Sequence, residues 1–224
     1  MIKIPDQVAR EHTWIAFESH FENREAFDEF LESIAISEDK EKFLRVGSIY
    51  LCLVKRGDWV VNIPESDQVV DYFTESYKLV TICSLIELIY TERYQTFFDW
   101  LNSRKKKCEF PLDRKRLQSL FKEYNQEFGS NKNCVKFFGS LPCKLQSQLC
   151  KSIRFHDTET TIETFSSHLY NLRSQFVHRG EVVTSLGSGV LLDLDAIPFV
   201  TTSLSFSKLQ MVFEYGVVDF FRKL

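Results

Sequence analysis

Glycine and proline are scarce in this chain, 8 and 5 among 224 residues. Both residues punctuate turns, so their scarcity argues against a turn-rich β architecture and favours helices. The six cysteines (Cys52, Cys83, Cys108, Cys134, Cys143, Cys150) include no C-x2-C pair. The last three, with His156, follow one another at intervals of 9, 7 and 6, which is poor spacing for zinc. No metal and no cofactor are expected; reduced and mostly buried thiols are. The glycine fingerprints of phosphate and dinucleotide loops are missing. No hydrolase elbow or matching triad supports a Ser or Cys nucleophile. The opening residues, MIKIPDQVAREH, lack the apolar run of a secretory signal. The strongest apolar run, Leu79–Tyr90, is short and interrupted by Glu87, so no membrane span is expected. Together these absences lead us to expect a cytoplasmic protein.

What is present is apolar and aromatic. Hydrophobic residues make up 44% of the chain and 21 residues are Phe, enough for a sizeable core and too much for a disordered chain. The expected class is all-α. The formal charge of −3 is unevenly spread: residues 1–66 carry a net −5 and residues 67–224 a net +2. Any contact with nucleic acid must therefore come from a local patch. We read residues 1–66 as an acidic helical extension without a chemical motif, suited to packing or to a regulatory protein partner. Phe17, Phe21, Phe27, Phe30, Leu31 and Ile34 suggest one or two short helices there. Phe43 to Val54 suggests another helix, stopped near Gly57, and Trp59–Ile63 a short strand or an extended link.

Residues 67–224 read as the main helical domain. Ser66 can cap a helix that starts at Asp67 and runs to about Arg104. Within it Glu87 interrupts Leu85, Ile86, Leu88 and Ile89. This carboxylate either faces water or is buried with a partner, for which Arg173 is the candidate. A basic run follows: Arg104, Lys105, Lys106, Lys107, Arg114, Lys115 and Arg116 place seven positive charges in 13 positions, against Glu109 and Asp113. A solvated surface explains such a run; so does contact with a phosphate backbone, through Lys105, Lys106, Arg114 and Arg116. Phe110 is the sole aromatic within it, so base stacking is not expected. Shorter helices are predicted over Leu117–Phe128, Cys134–Phe138 and Leu141–Ile153. Asp157, Thr158 or Thr160 can cap the next helix, and Ser203 or Ser205 a last one. Val190–Leu192 and Pro198–Val200 read as short extended pieces, allowing one short β element.

The stretch from Thr160 to Glu181, TTIETFSSHLYNLRSQFVHRGE, carries the clearest signal. Ile162, Phe165, Leu169, Leu172 and Phe176 recur at steps of 3, 4, 3 and 4, so they line one side of a helix that Gly180 can terminate. Asn171, Ser174 and His178 fall together on roughly the opposite side, with Arg173 on the flank. Arg173 and His178 are five residues apart, about 7.5 Å along the axis and turned away from each other. One straight helix cannot easily aim both at a single atom; two copies, or a long polyanion, can use both. Taken alone, the R-x4-H spacing has an ordinary explanation, a solvated Arg and a His that suits the helix C-terminus.

The segment LYNLRSQFVHRGE resembles the last core helix of HEPN domains, in particular the Apea-like branch, where a "lY-x-lR-S-x-x-vH-x-G" pattern closes the bundle. The resemblance is tight over Leu169–Gly180, loose over about Asp67–Val183 through the order of helices, and does not cover the acidic N-terminal part. It implies a HEPN-like helical bundle that dimerises through this helix, with two Arg and two His lining one cleft. The implied activity is metal-independent endoribonuclease cleavage of an RNA substrate, in a toxin or antiviral defence effector. His178 would serve as general acid or base, a role that histidine side chains commonly fill. Arg173 would hold the scissile phosphate. Ser174 would orient His178 or bind phosphate, Asn171 would contact RNA, and Glu87 would support Arg173. Many such domains instead serve assembly, so a catalytically inactive protein- or RNA-binding scaffold is the other expectation.

Overall fold

The structure, a computed structural model, describes residues 5–57, 67–90, 97–103, 113–155, 159–181, 186, 189–191 and 200–224. The fold is all-α, a helical bundle. The N-terminal part contributes α1 (Asp6–Phe17), α2 (Arg24–Ser33) and α3 (Ser37–Tyr50), the last running into a π-helical turn at Leu51–Lys55. Next come α4 (Asp67–Tyr90), α5 (Phe97–Ser103), α6 (Arg114–Phe128), α7 (Ser130–Gly139), α8 (Cys143–Ser152), α9 (Ile162–Arg179) and α10 (Phe206–Arg222). Asn23, Asp113, Thr161 and Ser205 each accept a backbone N–H of the first turn of the helix they precede, satisfying donors that have no partner inside the helix.

Several expectations need adjusting. Helix α1 was not anticipated, because its buried positions are Ala9, Thr13, Ala16 and Phe17, and three small residues give a faint periodicity. The helix expected to run from Asp67 to about Arg104 is described as α4 and α5. The proposed cap Ser66, and Trp59–Ile63, lie outside the described residues. The single short β element is three strands, β1 (Ile153–Phe155), β2 (Gly189–Leu191) and β3 (Val200–Thr202), in one antiparallel sheet of order β1-β3-β2. Arg154 and Val190 flank Thr201 from its two sides. Three-residue strands that pair across dozens of positions leave little local trace. Among the described residues no helix is long and apolar enough to cross a membrane.

The core is continuous from the N-terminal helices to α9, and its aromatic residues trace the path. Phe17 stacks on Tyr50 with ring centres 5.8 Å apart, and Tyr50 lies 5.1 Å from Phe213 of α10. Phe213 meets Phe137 of α7 at 5.7 Å, Phe137 meets Phe138 at 5.3 Å, and Phe138 meets Phe165 of α9 at 5.4 Å. All six rings are buried. The acidic N-terminal part and α10 thus share the core that supports α9. Where α7 crosses α10, a Cβ on Gly216 would lie 2.5 Å from the Phe137 ring, so glycine admits the close approach.

One carboxylate is enclosed with this core. Glu214 of α10 accepts the Tyr50 hydroxyl at 2.7 Å, with Lys55 Nζ 3.2 Å and His20 Nε2 3.4 Å away. Burial alone would raise its pKa, but the hydrogen bonds from His20 and Tyr50 and the Lys55 charge outweigh burial and hold the carboxyl below its usual range. The Tyr50 phenol is pushed up, first by burial and then by the Glu214 charge.

Two predictions follow from the packing. Gly216→Ala gains about 1 kcal/mol of helix propensity, yet forces the buried Phe137 ring aside, and overpacking costs about 1–3 kcal/mol. Urea denaturation is expected to show net destabilisation; a stabilised variant would mean that Phe137 gives way freely. Because the folded pKa of Glu214 is lowered, its contribution is complete above the unfolded value of about 4.3 and is lost as pH falls through the folded value. Glu214→Gln should therefore lower stability at pH 7, by about 1–3 kcal/mol, and flatten the acid limb of stability against pH. An unchanged acid limb would show that Glu214 titrates alike in both states.

Candidate functional site

Helix α9 is locally well specified. The Thr161 hydroxyl accepts the Thr164 N–H at 3.2 Å while the Thr164 hydroxyl accepts the Thr161 N–H at 2.9 Å, a reciprocal capping box. The cap is thus Thr161; Thr160 instead donates its hydroxyl to the Ile153 carbonyl at 2.7 Å, and Asp157 and Thr158 lie outside the described residues. At the other end Gly180 is left-handed at φ 71° and its N–H bonds to the Phe176 carbonyl, a conformation glycine adopts without strain. Phe165 and Leu169 of the apolar stripe are buried, while Ile162, Leu172 and Phe176 are half-buried.

Toward the C-terminal half the helix carries the motif. Arg173 faces α4, where its Nη2 lies 4.0 Å from Glu87 Oε1, with the two side chains 18% and 27% exposed. Of the two fates open to Glu87, the fold brings it to Arg173. The Tyr170 ring covers the guanidinium from one turn earlier, with 5.5 Å between its centre and the Arg173 Cζ. The Arg173 Nε is buried, and among the described residues nothing accepts a hydrogen bond from it. A buried donor in that state carries a desolvation cost of about 1–3 kcal/mol.

Beside this pair sit two thiols absent from the sequence-based site. Cys83 of α4 and Cys134 of α7 are buried and free. The Cys83 thiol is pushed well up, first by its hydrogen bond with Cys134 and then by burial, while the charge of Arg173 works the other way. Cys83 is near enough to Arg173 and Glu87 for both charges to act on its thiol. No spacing rule would have linked Cys83 to Cys134, since their meeting depends on α4 packing against α7.

His178 is exposed in the last turn of α9, with Asn171 exposed and Ser174 half-buried along the same side. It stands about 140° around the helix from Arg173, so the two do not converge within one chain. The helix's other histidine, His168, lies against the Phe155 ring at 5.4 Å, and burial pushes its pKa down. That leaves His178 as the α9 histidine with full access to solvent. On the other side of the helix, Phe176 packs on Phe73 and Tyr77 of α4 at 6.1 and 5.1 Å, and Phe73, Tyr77 and Val177 are exposed. Of the basic residues singled out, Arg114 and Arg116 are exposed on α6, which packs on α7, the neighbour of α9; Lys105 and Lys106 lie outside the described residues.

The Glu87–Arg173 contact is testable by a double-mutant cycle read by urea denaturation. Glu87→Gln and Arg173→Gln are each expected to destabilise, and the double variant to lose less than the two together, with a coupling of about 0.5–2 kcal/mol. Zero coupling would mean that the 4.0 Å approach contributes no attraction.

A scan against protein-family models and searches of curated proteins and of solved structures return no match to this chain.

Proposed function

We propose that the chain is a metal-independent endoribonuclease of the HEPN type, acting as a homodimer through α9, in a toxin or defence role. The observation that supports it best is Arg173, a guanidinium held near Glu87 and under the Tyr170 ring, on the helix whose last turn exposes His178. A phosphodiester oxygen would accept from Arg173, and the preset guanidinium would stabilise charge growing on phosphorus. In the cleavage step the ribose 2′-oxygen bonds to phosphorus as the bond to the 5′-oxygen breaks. One proton leaves the 2′-hydroxyl and one reaches the 5′-oxygen, leaving a 2′,3′-cyclic phosphate and a 5′-hydroxyl. Histidine side chains carry both transfers. A dimer would supply two copies of His178. Ser174, one turn before His178, would orient it.

The reading as an inactive scaffold is favoured by one feature, the carboxylate already opposite Arg173. The two readings part in one experiment: incubation of a labelled RNA pool in EDTA with the parent chain, Arg173→Ala and His178→Ala, each checked by light scattering for an unchanged oligomeric state. The ribonuclease reading expects cyclic-phosphate ends from the parent, and a loss of about 100-fold or more in each variant. No cleavage by a folded dimer would move the assignment to the scaffold.

A further inference from the structure

The sequence places one aromatic residue within the basic run, but the fold brings others to it. Phe97 of α5 packs against Phe121 and Tyr124 of α6, each at 5.4 Å between ring centres. Trp100 stacks beside Phe97 at 6.1 Å and donates its Nε1–H to Glu127 at 3.1 Å. The cluster is only half enclosed: Trp100 is buried, whereas Phe98 is 68% and Phe121 50% exposed.

The charges on α6 are sorted around these rings. At about 100° per residue, Arg114, Gln118, Lys122 and Lys115 occupy the sector next to Phe121. Glu123 and Glu127 fall on the opposite side, where Arg116 joins them. Arg114, Lys115 and Lys122 are exposed. The Asp113 carboxylate, the acid nearest in sequence, caps the helix by accepting the Lys115 and Arg116 N–H groups at 2.9 and 3.0 Å. Asp99 is the other acid close to Phe98 in the chain, and it is exposed. Phe121, with arginine, lysine and an amide on one flank and Glu127 held by Trp100 on the other, complements unpaired bases on a phosphate backbone. A duplex hides its base faces and offers such rings nothing to stack on.

We infer that the α5–α6 face, with Phe98 and Phe121 as stacking platforms and Arg114, Lys115 and Lys122 as phosphate contacts, binds single-stranded nucleic acid. This deepens the ribonuclease reading and rests on it in naming RNA, since it specifies an unpaired substrate and a second contact apart from α9.

The test uses the full chain carrying His178→Ala, so that binding is read without cleavage. Fluorescence anisotropy follows labelled oligouridine and oligodeoxythymidine of about 12 nucleotides, and a duplex of equal length, over a range of salt. Tighter binding of the single strands than of the duplex is expected, and the preference between uridine and thymidine strands assigns RNA or DNA. Phe98→Ala should weaken binding by about 5- to 100-fold at every salt concentration. Phe121→Leu, which keeps the packing apolar, should do the same. Arg114→Gln with Lys122→Gln should reduce the salt slope by about 1.4. Unchanged affinity in the folded Phe98→Ala, Phe121→Leu double variant, or equal affinity for the duplex, overturns the proposal and leaves this face to a protein partner. Cleavage by the Phe98→Ala, Phe121→Leu variant with His178 intact, together with unchanged oligonucleotide affinity, rejects this face alone. Tight binding by a parent chain that never cuts rejects the ribonuclease alone.

Discussion

The Phe137 ring of α7 rests against Gly216 of α10, where a Cβ would come within 2.5 Å of it, and aromatic contacts run from this point in both directions. Phe213 of α10 reaches back to Tyr50 and so to the N-terminal helices, while Phe138 reaches forward to Phe165 of α9. A packed interior at crystal-like density passes a displacement on instead of absorbing it. The position of α9, and with it the depth at which Arg173 meets Glu87, is thereby tied to side chains at both ends of the chain. The acidic N-terminal part is in this sense a wall of the core that carries the motif helix, whatever else binds to it.

The Arg173–Glu87 pair is not an efficient way to gain stability. Half-burying two charges carries a desolvation penalty that their attraction only partly offsets, and apolar residues of similar size often serve a fold as well. The pair sits among Cys83, Cys134 and the Tyr170 ring, where an unmatched charge would cost more still. Such an arrangement holds a guanidinium in one orientation before any ligand arrives. Preset charge of that kind is useful where negative charge must be met without reorganisation. Glu87 therefore has two effects: it anchors Arg173, and it competes with any phosphate for it.

Periodicity made much of the fold legible. The stripe of Phe165 and Leu169, the stop at Gly180 and the cap at Ser205 are local signals, and the chain obeys them. The motif residues were legible as a surface pattern on one helix, but the partner of Arg173 was an open choice, because a carboxylate between apolar neighbours can turn either way. What could not be read depends on packing across long separations. The meeting of Cys83 with Cys134 and the pairing of β1 with β3 are of this kind. So is the enclosure of Glu214 by Tyr50, Lys55 and His20. Helix α1 escaped for a different reason: its buried face is built from small residues, and amphipathic patterns are read from large ones.

A chain of net charge −3 is ill suited to a polyanion only if charge is treated as a single sum. At physiological salt an exposed charge is screened over about 8 Å, so the acids of residues 1–66 act on a bound strand only where they come within that distance of it. What a strand meets is local: exposed lysine and arginine on one sector of α6, the acids of the same helix on the other, and rings between. Stacking is insensitive to salt, whereas phosphate contacts weaken with it. A surface that mixes the two keeps part of its affinity when screening removes the rest. On the proposed reading that combination would let an acidic chain hold an unpaired strand while its overall charge disfavours indiscriminate adhesion to duplexes.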